Sequence, residues 1–147
     1  MVMPVTRDQR AVEMRLLDAL YRLNKSVLGA ARTHVAAVAK LDLVDFLILR
    51  SIELGVDGPG DLVRDLGLHA SVVSRAVTKL AKAGLVVRAV DPADSRRSYL
   101  TLTPAAEVAI SEVEGRVQPM LHDRLGRLTA QQITTLLECF DLLNGAE

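Results

Sequence analysis

The chain has 147 residues, half of them apolar, and its 18 basic and 18 acidic groups leave no formal net charge. That length fits one compact domain or one core with a protruding lobe, and the apolar excess of Leu, Val and Ala points to a mainly helical protein. The aromatic residues Tyr21, Tyr99, Phe46 and Phe140 are too few for a base-stacking platform on single strands, and a lone Cys139 excludes an internal disulfide and fits a reducing compartment.

The opening stretch MVMPVTRDQR lacks a basic segment followed by an apolar core, so it does not read as a signal peptide. Nowhere is there a run of about 18 apolar residues, which excludes a membrane span and places the protein in the cytoplasm. Thr6 and Gln9 have the spacing of a capping box. Behind them Leu16, Leu17, Leu20, Leu23, Val27, Leu28, Ala31 and Val35 recur at helical intervals, predicting one helix that reaches the late thirties. A helix of about 30 residues spans roughly 45 Å, more than a small core needs, and a partner chain would bury the excess.

Asp42 is a good N-cap for a second helix, LVDFLILRSIEL, which stops at Gly55. Its polar positions are Asp45, Arg50 and Glu53, so it should be central to the core. After the loop GVDGPG, Pro59 opens a short third helix that Gly67 ends. The fourth, HASVVSRAVTKLAKAG, puts Val73, Val77 and Leu80 on one side and Ser71, Ser74, Arg75, Thr78, Lys79 and Lys82 mostly on the other. LVVRAV and SYLTLT are short and β-branched or alternating, and DPADSRR between them is the tip of a hairpin. Thr103 and Pro104 start a fifth helix, with a kink expected at Pro119. A last helix follows the capping box TAQQ at 129–132, and Cys139 beside Phe140 reads there as a small buried hydrophobe.

The zero net charge conceals a gradient. Residues 1–60 sum to +1, residues 61–103 to +3 and residues 104–147 to −4. A basic middle either seeks a polyanion or is attracted by the chain's own acidic tail. Residues 59–84 have the layout of a helix-turn-helix, a pattern that helical hairpins in ordinary bundles imitate. A recognition helix must enter a major groove about 12 Å wide, with short side chains near its backbone and hydrogen-bonding tips. Ser71 and Ser74 meet the first demand; Arg75 and Lys79 meet the second. A hairpin directly behind such a helix can carry an arginine into the minor groove, with Asp94 two residues ahead holding Arg96 extended by an ion pair.

The run LVRDLGLHASVVSRAVTKLAKAGLVVRAVDPADSRRSYLTLTPAA resembles the winged helix of the multiple antibiotic resistance regulator (MarR) family. SVVSRAVTKL matches the recognition helix, GLVVR the entry to the wing, Asp94 and Arg96 the wing's D-x-R, and LTLTP its close. The resemblance implies a mainly α fold with a small β-hairpin wing: an N-terminal dimerisation helix (1–40), a winged helix-turn-helix lobe (41–103) and C-terminal dimerisation helices (104–147). It further implies that His69, Ser71, Val72, Ser74, Arg75, Thr78 and Lys79 face double-stranded DNA in the major groove. Arg96, with Asp94, would enter the minor groove and Arg97 would touch backbone. A homodimer would then read a pseudo-palindrome as a regulator, a repressor released by a small, often aromatic, acid. His69 stands where the family often has Ser, Thr or Asp, and Ala106 where it usually has glycine.

Asn24, Arg32, His34 and Arg50 lie on or beside apolar helix faces and are candidates for an effector pocket, or else polar groups of a rim or interface. His34, His69 and His122 are scattered and imply no metal. No glycine-rich phosphate loop, nucleophile elbow or supported carboxylate pair is present, so neither an enzyme nor a cofactor is expected. Two other readings remain at this level: an architectural DNA binder without effector, and a helical adaptor whose basic wing meets acidic proteins.

Overall fold

The computed structural model describes residues 5–145; residues 1–4, which open the stretch read for a leader, and 146–147 lie outside the described residues. The capping box forms at α1 (Arg7–Leu23): Thr6 Oγ1 accepts from the Gln9 amide at 3.2 Å, and Gln9 Oε1 accepts from the Thr6 amide at 2.9 Å. The single long helix expected from the periodicity is not uninterrupted. A π-helical turn, Asn24–Leu28, separates α1 from α2 (Gly29–Ala36), with the Gly29 amide donating to the Asn24 carbonyl five residues back. Such a turn widens the helix locally and re-aims the face that follows. The change is visible in burial, because α1 buries nothing within the chain whereas α2 buries Ala31 and Val35.

Between α2 and α3 (Leu43–Glu53) the chain turns through Ala39 and Lys40, both left-handed, with φ of 49° and 56°. Each costs a non-glycine residue roughly 1–2 kcal/mol. Buried Val38 and Leu41 hold the turn from either side. α3 is capped reciprocally, Asp42 Oδ1 accepting from the Asp45 amide at 2.8 Å and Asp45 Oδ2 from the Asp42 amide at 3.0 Å. α4 (Pro59–Leu66) begins on its proline and ends at Gly67, whose φ of 61° suits a residue without Cβ. α5 (Ala70–Lys82) follows.

Strands β1 (Val86–Val90) and β2 (Ser98–Leu102) pair antiparallel, Val86 opposite Leu102 and Val90 opposite Ser98. The Leu100 amide donates to the Asp57 carbonyl at 2.8 Å, stitching the hairpin to the loop before α4. Thr103 caps α6 (Pro104–Leu125), which runs on through Pro119, and Thr129 caps α7 (Ala130–Leu143).

One apolar cluster holds these elements together. Val35, Ile48, Leu49, Leu62, Val73, Val77, Leu80, Leu100, Ile110 and Val113 are among its members. Ala106 is fully buried in it, so a side chain fills the position that glycine usually takes in the family. α1 and α7 contribute nothing to this core, and their apolar residues, Leu17, Leu20, Leu137 and Leu143 among them, stay exposed. Cys139, expected to be buried, is exposed as well. Its helix buries no residue within one chain. No helix of the described residues is long and apolar enough to cross a membrane.

Candidate nucleic-acid interface

α5 buries Val73, Ala76, Val77 and Leu80. At 3.6 residues per turn, the row diametrically outward from that stripe is Ser71, Arg75, Thr78 and Lys82, with Ser74 beside it; all five are exposed. Thr78 Oγ1 donates back to the Ser74 carbonyl at 2.9 Å, leaving its methyl and oxygen lone pairs outward. Arg75 has no ion-pair partner among the described residues. Lys82 is an outward residue that the sequence reading placed on the basic face but did not select as a site.

His69 is the N-cap of α5, yet its side chain makes no capping hydrogen bond. Its imidazole is exposed where a hydroxyl or carboxylate would have been tied to the first turn. Val72 and Lys79 stand on the flank, roughly a quarter-turn from the outward row. Lys79 is also engaged. Its ammonium lies 2.5 Å from Asp45 Oδ2 and 3.8 Å from Asp42 Oδ2. Asp45, read from the sequence as part of the polar face of α3, is instead 1% exposed. The first-turn carboxylate points inward because a lysine from α5 meets it there.

The hairpin tip is built from two Asx turns in succession. Asp91 Oδ1 accepts from the Ala93 amide at 2.9 Å, while Asp91 Oδ2 accepts from the Tyr99 hydroxyl at 2.9 Å. These bonds, the Ala93 amide foremost, hold the Asp91 carboxyl below its ordinary value, and the same contact to Asp91 raises the Tyr99 phenol. Asp94 Oδ1 then accepts from the Arg96 amide at 3.0 Å. The expected ion pair between Asp94 and Arg96 does not form: the Asp94 carboxylate faces Arg97 instead, Nε to Oδ2 at 4.0 Å. The Asp94 carboxylate therefore meets Arg96 through its backbone amide and not through its side chain. The Arg96 guanidinium is left without an ion-pair partner among the described residues.

Between the hairpin and the start of α4 lies a cleft of about 410 Å³, into which Arg64, Arg88, Arg96 and Arg97 converge with Asp57 and Asp61. Asp61 is tied to Arg64, and Arg88 Nε donates to Ser98 Oγ at 3.2 Å. The sequence reading selected neither Arg64 nor Arg88, because their convergence depends on how α4 meets the hairpin.

A second concavity, about 600 Å³, runs between α3 and α6. Phe46, Val117, Leu121 and Leu125 form its apolar wall, and Arg50, Glu114, Gln118 and His122 its polar groups. Arg50 Nη1 donates to Glu53 Oε2 and Glu114 Oε1, both at 2.9 Å. Of the four effector candidates Arg50 lines this groove, while Asn24, Arg32 and His34 are not among its lining residues. Phe46 and His122 were not selected from the sequence, since their positions across two helices carry no local signature. No group of three His, Cys, Asp or Glu side chains among the described residues is placed to hold a metal ion.

A three-helix core with a recognition-type helix and an adjoining two-stranded wing is a winged helix-turn-helix. Residues 40–97 match the family profile described as MarR family. The segment thus carries the MarR-family signature, and the chain as a whole has the fold of solved MarR-family proteins. The transcriptional regulator BldR of Sulfolobus solfataricus superposes with a TM-score of 0.80 at 19% identity, over 92% of this chain and 96% of that one. CouR of Rhodococcus jostii RHA1, solved bound to p-coumaroyl-CoA, gives 0.78 at 20% identity, over 88% and 91%. BpsR of Bordetella bronchiseptica, whose DNA binding is regulated by 6-hydroxynicotinic acid, gives 0.76 at 18% identity, over 88% and 93%. Among curated proteins nothing matches the chain.

Proposed function

We propose that the protein is a homodimeric, sequence-specific binder of double-stranded DNA that regulates transcription, as a repressor released by a small effector. The observation that carries this reading is the outward row of α5. Small hydroxyl residues next to Arg75 and Lys82 stand on a helix whose opposite face is locked into the core. That composition suits close approach to base edges, and a helix held in one rotation suits reading them. The wing supports the reading with Arg96, projected from a turn that two aspartates fix. In this reading Arg96 enters the minor groove and Arg97 touches backbone.

Residues 1–40 and 104–147 serve dimerisation, supported by the uncovered apolar faces of α1 and α7. A two-fold axis lets these faces bury each other and sets two α5 helices about 34 Å apart, one turn of duplex. The groove between α3 and α6 is the effector site. Its apolar wall with one arginine suits an aromatic acid, whose carboxylate exchanges with Glu114 on Arg50, and the 6-hydroxynicotinic acid that regulates BpsR is a ligand of that class. The test is selection of bound fragments from genomic DNA, followed by protection mapping. A palindrome of about 16–20 base pairs should emerge, and small aromatic acids should release it; equal affinity for the selected and random duplexes contradicts the reading.

A further inference from the structure

Among the described residues one side-chain hydrogen bond joins α3 to α5, and the residues the two helices place in the shared core are apolar. Ile48 and Leu49 of α3 share that core with Val73, Val77 and Leu80 of α5, and to this non-directional packing a hydrogen bond adds a directional restraint. Its acceptor is Asp45, 1% exposed, whose Oδ2 accepts from the Asp42 amide at 3.0 Å and from the Lys79 ammonium at 2.5 Å. The bond joins the first turn of α3 to a residue 34 positions later in the chain. It is directional, and a carboxylate so buried is costly to leave unpaired. The Asp45 hydrogen bond also raises the Lys79 ammonium above its ordinary 10.5.

The position matters for reading. Lys79 stands on the flank of α5, about a quarter-turn from Ser71, Arg75, Thr78 and Lys82. A small rotation of α5 moves the whole outward row relative to the groove. The α3 turn that holds Lys79 follows directly on the left-handed pair Ala39–Lys40, where the chain passes from α2 into the helix-turn-helix. We propose that Lys79 is a positioning residue rather than a DNA contact: its bond to Asp45 sets the rotation of α5 and thereby the selectivity of the outward row. This rests on the DNA-binding reading above.

The test uses Lys79→Met, which keeps the stem and removes the charge, alone and with Asp45→Asn. Each variant is titrated against the duplex that the unaltered protein selects and against random duplex, over a range of salt. Lys79→Met should lose about tenfold in affinity for the selected duplex and much less for random duplex. Asp45→Asn on that background relieves the unpaired buried charge but does not remake the bond, so the selected duplex should stay about tenfold weaker, with the salt dependence as in the unaltered protein. A double variant whose loss is equal on random duplex, with a log–log salt slope smaller by about one, makes Lys79 a phosphate contact and overturns the proposal, and so does a double variant that regains full selectivity without the bond. So does full selectivity in Lys79→Met alone. If Lys79→Met fails to fold, the double variant still decides between the two. Failure of the unaltered protein to prefer any duplex would instead sink the DNA-binding reading.

Discussion

Arg75 and Arg96 have different surroundings, and their substitutions should fail differently. Arg75 leaves the middle of the outward row of α5, where a guanidinium can reach two acceptors of a guanine edge. Arg75→Ala should cost about 1–3 kcal/mol and relax preference at one position per half-site, as read by competition with single-base variants; equal weakening on every sequence would make it a backbone contact. Arg96 leaves a turn fixed by Asp91 and Asp94. Arg96→Ala should weaken binding most where A·T-rich flanks narrow the minor groove, and a loss independent of the flanks would reduce the wing to general charge. The turn has its own pH limit. Asp91 is held below its ordinary 3.8, first by the Ala93 amide and then by Tyr99, so its contribution is complete above that value. It is lost as the pH falls through the lowered value of the folded wing. The Ala93 amide resonance in a pH titration should therefore move below 3.8, and a midpoint above it would contradict the clasp.

The elements themselves were largely legible in the sequence, because their ends are written in short-range chemistry. Thr6, Asp42 and Thr129 cap where their spacing to Gln9, Asp45 and Gln132 requires, and Gly67 takes the left-handed residue that ends α4. What was not legible depends on contacts distant in the chain. Asp45 is both a capping residue of α3 and the partner of Lys79, whereas the pattern of α3 shows it only as a polar position. The π turn at Asn24–Leu28 follows no residue signature; there Arg124 Nη2, nearly a hundred positions later, donates to the Ser26 carbonyl at 3.2 Å. Asp94 choosing Arg97 over Arg96 depends on the turn's backbone bonds. The junction between the wing and α6 concentrates two contacts in one hydroxyl: Thr103 Oγ1 accepts from the Ala106 amide at 3.2 Å and donates to the Gly84 carbonyl at 2.7 Å. Thr103→Ala should lower the unfolding free energy by about 1–2 kcal/mol, measured in urea at fixed protein concentration. An unchanged midpoint would show that the fully buried Ala106 holds the helix start unaided.

At the scale of the whole molecule, the residues divide between a packed centre and helices that one chain leaves uncovered. The charge is also divided along the chain, +3 over residues 61–103 and −4 over residues 104–147. In the proposed dimer the acidic tail lies away from the duplex and the two basic faces share one side. That arrangement ties recognition to geometry: both α5 helices are held in one rigid spacing and must meet successive major grooves on the same side of the DNA. The most direct measurement is therefore affinity for the selected palindrome against the same site with about five base pairs, half a helical turn, inserted between its halves. Affinity is predicted to fall toward that for random duplex, with two protein chains bound per intact site. Undiminished binding to the lengthened site, or one chain bound per intact site, would contradict the account.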